Sequence, residues 1–113
     1  MTDKPAPLEI DCRTVKTRLD TGDGFVLLDC RERDEHDFVR IAGSRLFPMS
    51  ELAERVTELD GNQSSELVVL CHHGVRSRQV ATWLRQRGFS NVRSMTGGID
   101  RWSLEIDPSL PRY

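Results

Sequence analysis

The sequence predicts a small α/β domain in which a mainly parallel sheet of five strands carries helices on both faces. Two apolar runs, "FVLLD" and "ELVVLC", are continuous rather than alternating, which is typical of strands buried on both faces. Helical patterns alternate with such runs, and this alternation favours parallel pairing. Ligands of these sheets usually bind at the carboxyl ends of the strands, where we expect Asp29 and Cys71.

The first elements of the domain follow from caps and short apolar segments. The piece "LEI" is a short strand candidate, and Asp11 can then cap a helix over "CRTVKTRLD". The segment "TGDG" ends this helix, and the strand "FVLLD" follows. The polar stretch "CRERDEHDFVR" predicts a loop that contains a short helix.

The remaining elements continue the alternation. "SRLFP" predicts a short strand, and Ser50 can cap a helix over "ELAERVTEL". The strand "ELVVLC" is followed by a helix over "SRQVATWLRQRG" that ends at Gly88. "NVRSM" predicts the last strand, "TGG" a tight turn, and "IDRWSLEI" a closing helix.

Length and composition indicate one globular unit. The chain has 113 residues, of which 37% are hydrophobic and 30% charged, and its net charge is -2. This balance predicts one folded domain over residues 8–107 and argues against a dedicated nucleic-acid binder. Residues 1–7 are expected to form a flexible leader, and residues 108–113 a C-terminal tail.

The cysteines and the N-terminal segment predict a cytoplasmic protein. The first ten residues lack the apolar stretch of a signal peptide, and no window is apolar enough to span a membrane. Cys12, Cys30 and Cys71 are widely spaced and odd in number, which makes a poor disulfide framework. We therefore expect free thiols, no membrane partner and no cofactor. The oligomeric state stays open.

The segment after "ELVVLC" has the composition of an anion-binding loop around a reactive sulfur. Cys71 ends a strand and a helix begins about six residues later, so unpaired amides and the positive end of the helix dipole can surround the sulfur. Such surroundings lower the pKa of a cysteine from about 8.5 to roughly 3.5–7.5. Gly74 supplies backbone freedom for the turn, and Arg76 supplies a fixed charge.

Other interpretations of Cys71 fit the sequence less well. A buried core thiol is common for a lone cysteine, but core strands rarely continue into a polar, basic loop. A zinc site needs four ligands, and the remaining candidates, Cys12, Cys30 and His36, contain no second closely spaced pair, so we expect no metal. A Cys-His hydrolase needs an imidazole oriented by a third group, a geometry that sequence neighbours seldom have.

Four motifs in order resemble the rhodanese-like sulfurtransferase family. "CHHGVRS" is similar to its active-site loop, and "VLLDCRERDEHDF" to a segment in which a strand ends on Asp before Arg and an acidic helix. "RIAGS" and "MTGGIDRW" resemble two further family elements, so the likeness covers residues 8–102. It implies that Cys71 takes a sulfane sulfur from a small anionic donor such as thiosulfate and forms a persulfide. The sulfur would then pass to cyanide, a thiol or a protein acceptor.

The loop length and the departures from the family pattern refine this expectation. Six residues from Cys71 through Arg76 match the sulfurtransferases, whereas the related dual-specificity phosphatases of the cell cycle have one residue more, which disfavours a phosphatase. Arg40 and Ala42 stand where the family commonly has His and Pro. Cys30 replaces a small apolar residue; it is interpreted as a packed hydrophobe, although it could also resolve a persulfide as a disulfide.

The expected site extends over the loop and two supporting residues. Its amides would hold the anionic sulfur, which gives loop roles to His72, His73, Gly74, Val75, Arg76 and Ser77. The two histidines are interpreted as polar residues at the entrance. Asp29 would brace the loop, and positive charges at the mouth would attract an anionic donor, a role assigned to Arg31, Arg76 and Arg78. The alternatives are a non-catalytic binding module and a redox sensor.

Overall fold

Five strands form one sheet in the computed structural model, which describes residues 7–113. They are β1 (Glu9–Ile10), β2 (Val26–Asp29), β3 (Arg45–Leu46), β4 (Leu67–Leu70) and β5 (Val92–Met95). The spatial order is β1-β5-β4-β2-β3, and neighbouring strands pair in parallel. The predicted α/β class and five-stranded sheet are therefore confirmed. Residues 1–6 of the predicted leader lie outside the described residues.

Helices cover both faces of this sheet, as predicted. They are α1 (Cys12–Thr21), α2 (Arg33–Phe38), α3 (Leu52–Arg55), α4 (Val75–Gln86) and α5 (Gly98–Glu105). Leu27 and Val68 share a core cluster with side chains of α1 and α5, whereas Leu28 and Val69 share the other cluster with α3 and α4. Because successive strand residues point to opposite faces, the two clusters fill the two sides of the sheet.

The first residues of α1 and α4 show how the local sequence determines where a helix begins. Asp11 accepts a hydrogen bond of 2.7 Å from the Thr14 amide and caps α1 as predicted. Helix α4 begins at Val75, two residues before the predicted "SRQVATWLRQRG" segment. Gly74 precedes it with a φ of 103°, a left-handed conformation that glycine adopts without a Cβ penalty.

The prediction of one regular helix over residues 51–59, capped by Ser50, is wrong. Helix α3 forms only the central turn of this segment, and 3-10 turns lie on either side, at Met49–Glu51 and Val56–Leu59. Ser50 sits within the first of these turns. Its hydroxyl donates to the Glu32 carboxylate at 2.5 Å, so a distant acceptor replaces the local capping bond.

The segment after α5 runs back to the carboxyl edge of the sheet. Leu110 packs against the α1/α5 core cluster, and the Ser103 hydroxyl donates to its carbonyl at 2.9 Å. Arg112 pairs with Asp100 at 2.8 Å, which leads Tyr113 to the loop after β4. The division of the chain at residue 108 stays a prediction. Between residues 7 and 113, the helices are too short or too polar to cross a bilayer.

Candidate active site

Cys71 lies directly after β4, with its side chain only 1% exposed beneath the loop that leads into α4. The Gly74 amide donates a hydrogen bond to its sulfur at 3.0 Å, and the Ser77 amide donates another at 3.3 Å. The Ser77 hydroxyl oxygen lies 3.4 Å from the same sulfur. Because the first amides of a helix have no partner within the helix, the start of α4 can direct them at a side chain. The loop therefore brings donors to one sulfur atom.

The glycine pair after β5 holds the backbone of this loop. A Cβ added to Gly98 would lie 2.4 Å from the Cys71 carbonyl oxygen and 2.5 Å from that of His72. The Ile99 amide donates to the Cys71 carbonyl at 2.9 Å, and the Asp100 amide donates to the His72 carbonyl at 3.1 Å. The turn predicted from "TGG" thus fastens the start of the Cys71 loop to α5.

These surroundings lower the pKa of Cys71 from 9.0 to about 5. The interaction with the Cys30 side chain is the largest cause, and the Ser77 hydroxyl and the Ser77 and Gly74 amides lower it further. Burial opposes the shift, because desolvation disfavours the charged form. Cys71 is consequently a thiolate at neutral pH, the form in which a cysteine is nucleophilic.

Cys30 is packed in the core, as expected, and it is also the neighbour of Cys71. Both side chains belong to the cluster on the α3/α4 face. The interaction with Cys71 and burial raise the pKa of Cys30, so this thiol stays protonated and can donate to the neighbouring sulfur. Cys12 lies in the other cluster, where burial raises its pKa to about 11.

Asp29 and Arg31 form a buried ion pair behind the loop. Both side chains are fully buried, and Arg31 donates to the Asp29 carboxylate at 2.7 Å. Asp29 also accepts from the Arg31 amide at 3.1 Å, and His36 Nδ1 lies 2.8 Å from the carboxylate. The prediction that Arg31 lies at the mouth is wrong. Its guanidinium is buried, and its charge is neutralised by the Asp29 carboxylate. Arg31 instead braces α2, through a bond to the Glu35 carbonyl at 3.2 Å.

The two remaining arginines at the mouth also have carboxylate partners. Arg76 forms a bidentate pair with Glu35 of α2, at 2.6 and 2.9 Å. Arg78 pairs with Glu9 at 3.2 Å on the exposed surface. The positive mouth expected from the sequence is therefore largely neutralised by its acidic neighbours.

Tyr113 connects the loop to α2. Its ring stacks on His72 with centroids 3.8 Å apart and planes within 5°, and His72 in turn contacts His73. The Tyr113 hydroxyl donates to Glu35 at 2.7 Å and accepts from Arg31 at 3.0 Å. Tyr113 thus covers the ring of His72, and His73 lies tilted against that ring.

Sequence reasoning missed Glu35 and Tyr113 as site residues. Glu35 lies in the acidic segment that the family resemblance includes, but no local pattern marks it above its acidic neighbours. Tyr113 carries no signal at all, since its partners lie far away in the chain. His36, considered as a metal ligand, contacts Asp29 instead of Cys71. Across residues 7–113, no group of three or more metal-ligating side chains is found.

Comparison with known proteins fits this geometry. The family model of the rhodanese-like domain matches residues 11–105, which include both buried strands and the Cys71 loop. The chain belongs to the rhodanese-like family. The resemblance inferred from the four motifs is therefore confirmed. A rhodanese-related protein of Thermoplasma volcanium has a similar solved structure, with a TM-score of 0.76 and 30% identity over 93% of this chain and 96% of that one.

Rhodanese-like relatives include larger proteins. "Adenylyltransferase and sulfurtransferase MOCS3-2" of Zea mays is 33% identical over 96% of this chain, which spans 24% of that protein. The "putative sulfur carrier protein YrkF" of Bacillus subtilis is 30% identical over 84% of this chain, which spans 50% of it. The chain thus covers half or less of either relative. A chloroplastic relative from Arabidopsis thaliana also matches, so a cytoplasmic location stays a prediction for this chain.

Proposed function

We propose that this rhodanese-like chain is a sulfurtransferase of the rhodanese type, which carries a sulfane sulfur as a persulfide on Cys71. The observation that carries the proposal is the buried Cys71 sulfur, which accepts two amide hydrogen bonds and has a pKa of about 5. Relatives named as sulfurtransferases and as a sulfur carrier support the same chemistry. The partners would be a small anionic sulfur donor and a thiol or protein acceptor.

The proposed reaction has two displacements at sulfur. The Cys71 thiolate attacks the sulfane sulfur of thiosulfate, and a new sulfur–sulfur bond forms. The old sulfur–sulfur bond breaks, and its electron pair leaves with sulfite. An acceptor, such as cyanide or a thiolate, then attacks the outer sulfur of the persulfide, and Cys71 leaves as a thiolate. Attack and departure both depend on the stability of that thiolate.

The loop would stabilise the anionic sulfur in both steps. Donors fixed before the reaction need no reorganisation when charge develops, and they act strongly in a site that excludes water. The Gly74 and Ser77 amides already point at the Cys71 sulfur. The outer sulfur of the persulfide would lie among the remaining loop groups, from His72 to Arg76.

Mass spectrometry tests this proposal directly. Wild-type protein incubated with thiosulfate should gain the mass of one sulfur atom and lose it again when cyanide is added. Cys71→Ser should gain nothing, and Cys12→Ser should behave as the wild type because Cys12 lies in the other core cluster. No gain in the wild type, or a gain that persists in Cys71→Ser, contradicts the proposal. No gain in any of the three proteins would favour a non-catalytic binding module.

A redox-sensing function is the second candidate, and the position of Cys30 favours it. Facing positions on paired strands are about 4.8 Å apart, within the Cα range of roughly 4.4–6.8 Å for disulfides. A peroxide would oxidise the Cys71 thiolate to a sulfenic acid, and the Cys30 thiol would displace water to give a disulfide. Peptide mapping after mild peroxide treatment should find this disulfide, and dithiothreitol should remove it. A Cys71 that is overoxidised without pairing contradicts the redox function.

A further inference from the structure

We infer that Glu35 determines donor specificity, and that it biases the site toward persulfides of low charge, of the type R–S–SH, over the dianion thiosulfate. This inference rests on the proposed sulfurtransferase function. It follows from the charges and side chains that surround the entrance to Cys71, and from the way in which Glu35 is fixed there.

Glu35 is already bound to the Arg76 guanidinium, the group that an anionic donor would need as its partner. The Arg76 fork donates both of its terminal nitrogens to the Glu35 carboxylate, at 2.6 and 2.9 Å. A bidentate pair of this kind matches the geometry that Arg uses for sulfonate-like and phosphate-like oxygens. Thiosulfate would therefore have to displace Glu35 or bind with the carboxylate beside it.

Two further contacts hold Glu35 as a charged group. The Tyr113 hydroxyl donates to it at 2.7 Å, and the Glu32 amide donates to it at 3.1 Å in a capping box of α2. Arg76, which is the largest cause, and these bonds lower the pKa of Glu35 to about 2, against burial. The carboxylate consequently stays ionised at neutral pH and is tied to elements on both sides of the entrance.

The rest of the rim suits an organic group better than a sulfonate. Val75 is 65% exposed beside Arg76, and Phe38 is 58% exposed. Phe38 packs edge-on against Tyr113 with ring centroids 5.9 Å apart, and Tyr113 stacks on His72. An alkyl persulfide can place its carbon groups on this apolar rim, whereas thiosulfate is a dianion without any carbon group.

Sulfur transfer from such a donor balances without any further reactant. The Cys71 thiolate attacks the terminal sulfur of R–S–SH, and a new sulfur–sulfur bond forms. The bond between that sulfur and R–S breaks, and its electron pair leaves as R–S⁻, which takes a proton from water. The leaving thiolate carries a single charge that protonation removes, whereas sulfite leaves as a dianion next to the Glu35 carboxylate.

The test compares two donors in the full chain. The probes are thiosulfate and the persulfide of cysteine, and kcat/KM for loading Cys71 is measured for each by quenched-flow and intact mass. Glu35→Gln keeps the shape of the side chain and the capping bond but frees the Arg76 charge. The ratio of kcat/KM for thiosulfate to kcat/KM for cysteine persulfide should rise at least about tenfold, the effect of one charge at short range.

Two further variants make the result decisive. Glu58→Gln is the matched control: it removes a carboxylate that pairs with Arg45 and Arg55 away from the loop, so the donor ratio should not move. Arg76→Gln leaves the Glu35 carboxylate without its cation, so the ratio of thiosulfate to cysteine persulfide loading should fall. This variant provides the test if Glu35→Gln folds poorly. A ratio unchanged in folded Glu35→Gln, or unchanged in Arg76→Gln where Glu35→Gln does not fold, overturns the inference alone. A wild type that loads from neither donor overturns the proposed function itself.

Discussion

Cys30 and Cys71 occupy facing positions where β2 and β4 end. Asp29 and Leu70 are register partners on these parallel strands, and the Cys30 amide donates to the Leu70 carbonyl at 2.9 Å. The next residue on each strand is therefore a cysteine, and both side chains are 1% exposed in the same core cluster. A thiol with the burial of a core residue therefore lies beside Cys71, and its interaction with Cys71 is the largest cause of the lowered pKa of that residue.

Removal of Cys30 should raise the pKa of Cys71. Cys30→Ala takes away the largest cause of the lowered pKa. We expect an increase of about one unit, because a hydrogen bond contributes roughly 0.5–1.5 kcal/mol and one pKa unit corresponds to about 1.4 kcal/mol. The measurement is the rate of Cys71 alkylation by iodoacetamide against pH. In the wild type this rate should be level at neutral pH and fall as pH drops through about 5.

The matched control for this experiment is Cys12→Ala. Cys12 is also buried, but in the core cluster on the opposite face of the sheet. Its removal should leave the alkylation profile of Cys71 in place. Identical profiles for Cys30→Ala and Cys12→Ala would show that Cys30 does not tune the pKa of Cys71.

The same ionisation should make the protein more stable as pH rises. The pKa of Cys71 is about 5 in the folded chain and 9.0 ordinarily, so between these values the unfolded chain binds the extra proton. The stabilisation is complete above the ordinary pKa and is lost as pH falls to the folded one. The free energy of unfolding of wild type minus that of Cys71→Ser should rise by about 1.4 kcal/mol per pH unit. Urea titrations at pH 6, 7 and 8 in reducing buffer measure this slope, and a flat difference contradicts it.

The loop around Cys71 could be predicted because its information is local. A buried strand, a glycine and the start of a helix follow one another within "LVVLCHHGVRS", and a strand end next to a helix start leaves few arrangements for the amides between them. Strands β2 and β4 could be predicted for the same reason, since continuous apolar runs mark strands that are buried on both faces.

The partners of the loop could not be predicted, because they come from distant parts of the chain. Glu35 and Arg76 are 41 residues apart, and Tyr113 and Glu35 are 78 residues apart. Several arginines and carboxylates were available, and only the packing of α2 and the path of the chain after α5 select the pairs that form. Arg31 illustrates the limit: its charge suggested a place at the surface, whereas its bonds to Asp29 place it in the interior.

Gly98 should be indispensable for the shape of the loop. In Gly98→Ala, the new Cβ would lie 2.4 Å from the Cys71 carbonyl oxygen, at a φ of +62°. Gly88→Ala is the matched control, because Gly88 has a similar conformation, at +94°, with nothing within 4 Å of an added Cβ. Both variants incur the conformational cost of roughly 1 kcal/mol, but only Gly98→Ala must also displace backbone. Urea unfolding should show a clearly larger loss for Gly98→Ala, together with slower alkylation of Cys71. Equal losses would mean that the turn can yield without disturbing the loop.

Tyr113 should act on the loop through its hydroxyl and its ring separately. Tyr113→Phe keeps the stack on His72 but removes the bonds to Glu35 and Arg31, whereas Tyr113→Ala removes both kinds of contact. We expect Tyr113→Phe to lower the free energy of unfolding by about 1 kcal/mol, and Tyr113→Ala to lower it further.

A double-mutant cycle tests whether the hydroxyl works through Glu35. Tyr113→Phe and Glu35→Gln remove the two ends of one hydrogen bond, so their effects on stability should be non-additive by roughly 0.5–3 kcal/mol. Glu58→Gln, whose carboxylate pairs with Arg45 and Arg55, supplies the additive control. If both cycles are additive, Tyr113 packs on the loop without bracing it. If only the Glu35 cycle couples, the end of the described chain helps to hold the carboxylate that neutralises Arg76.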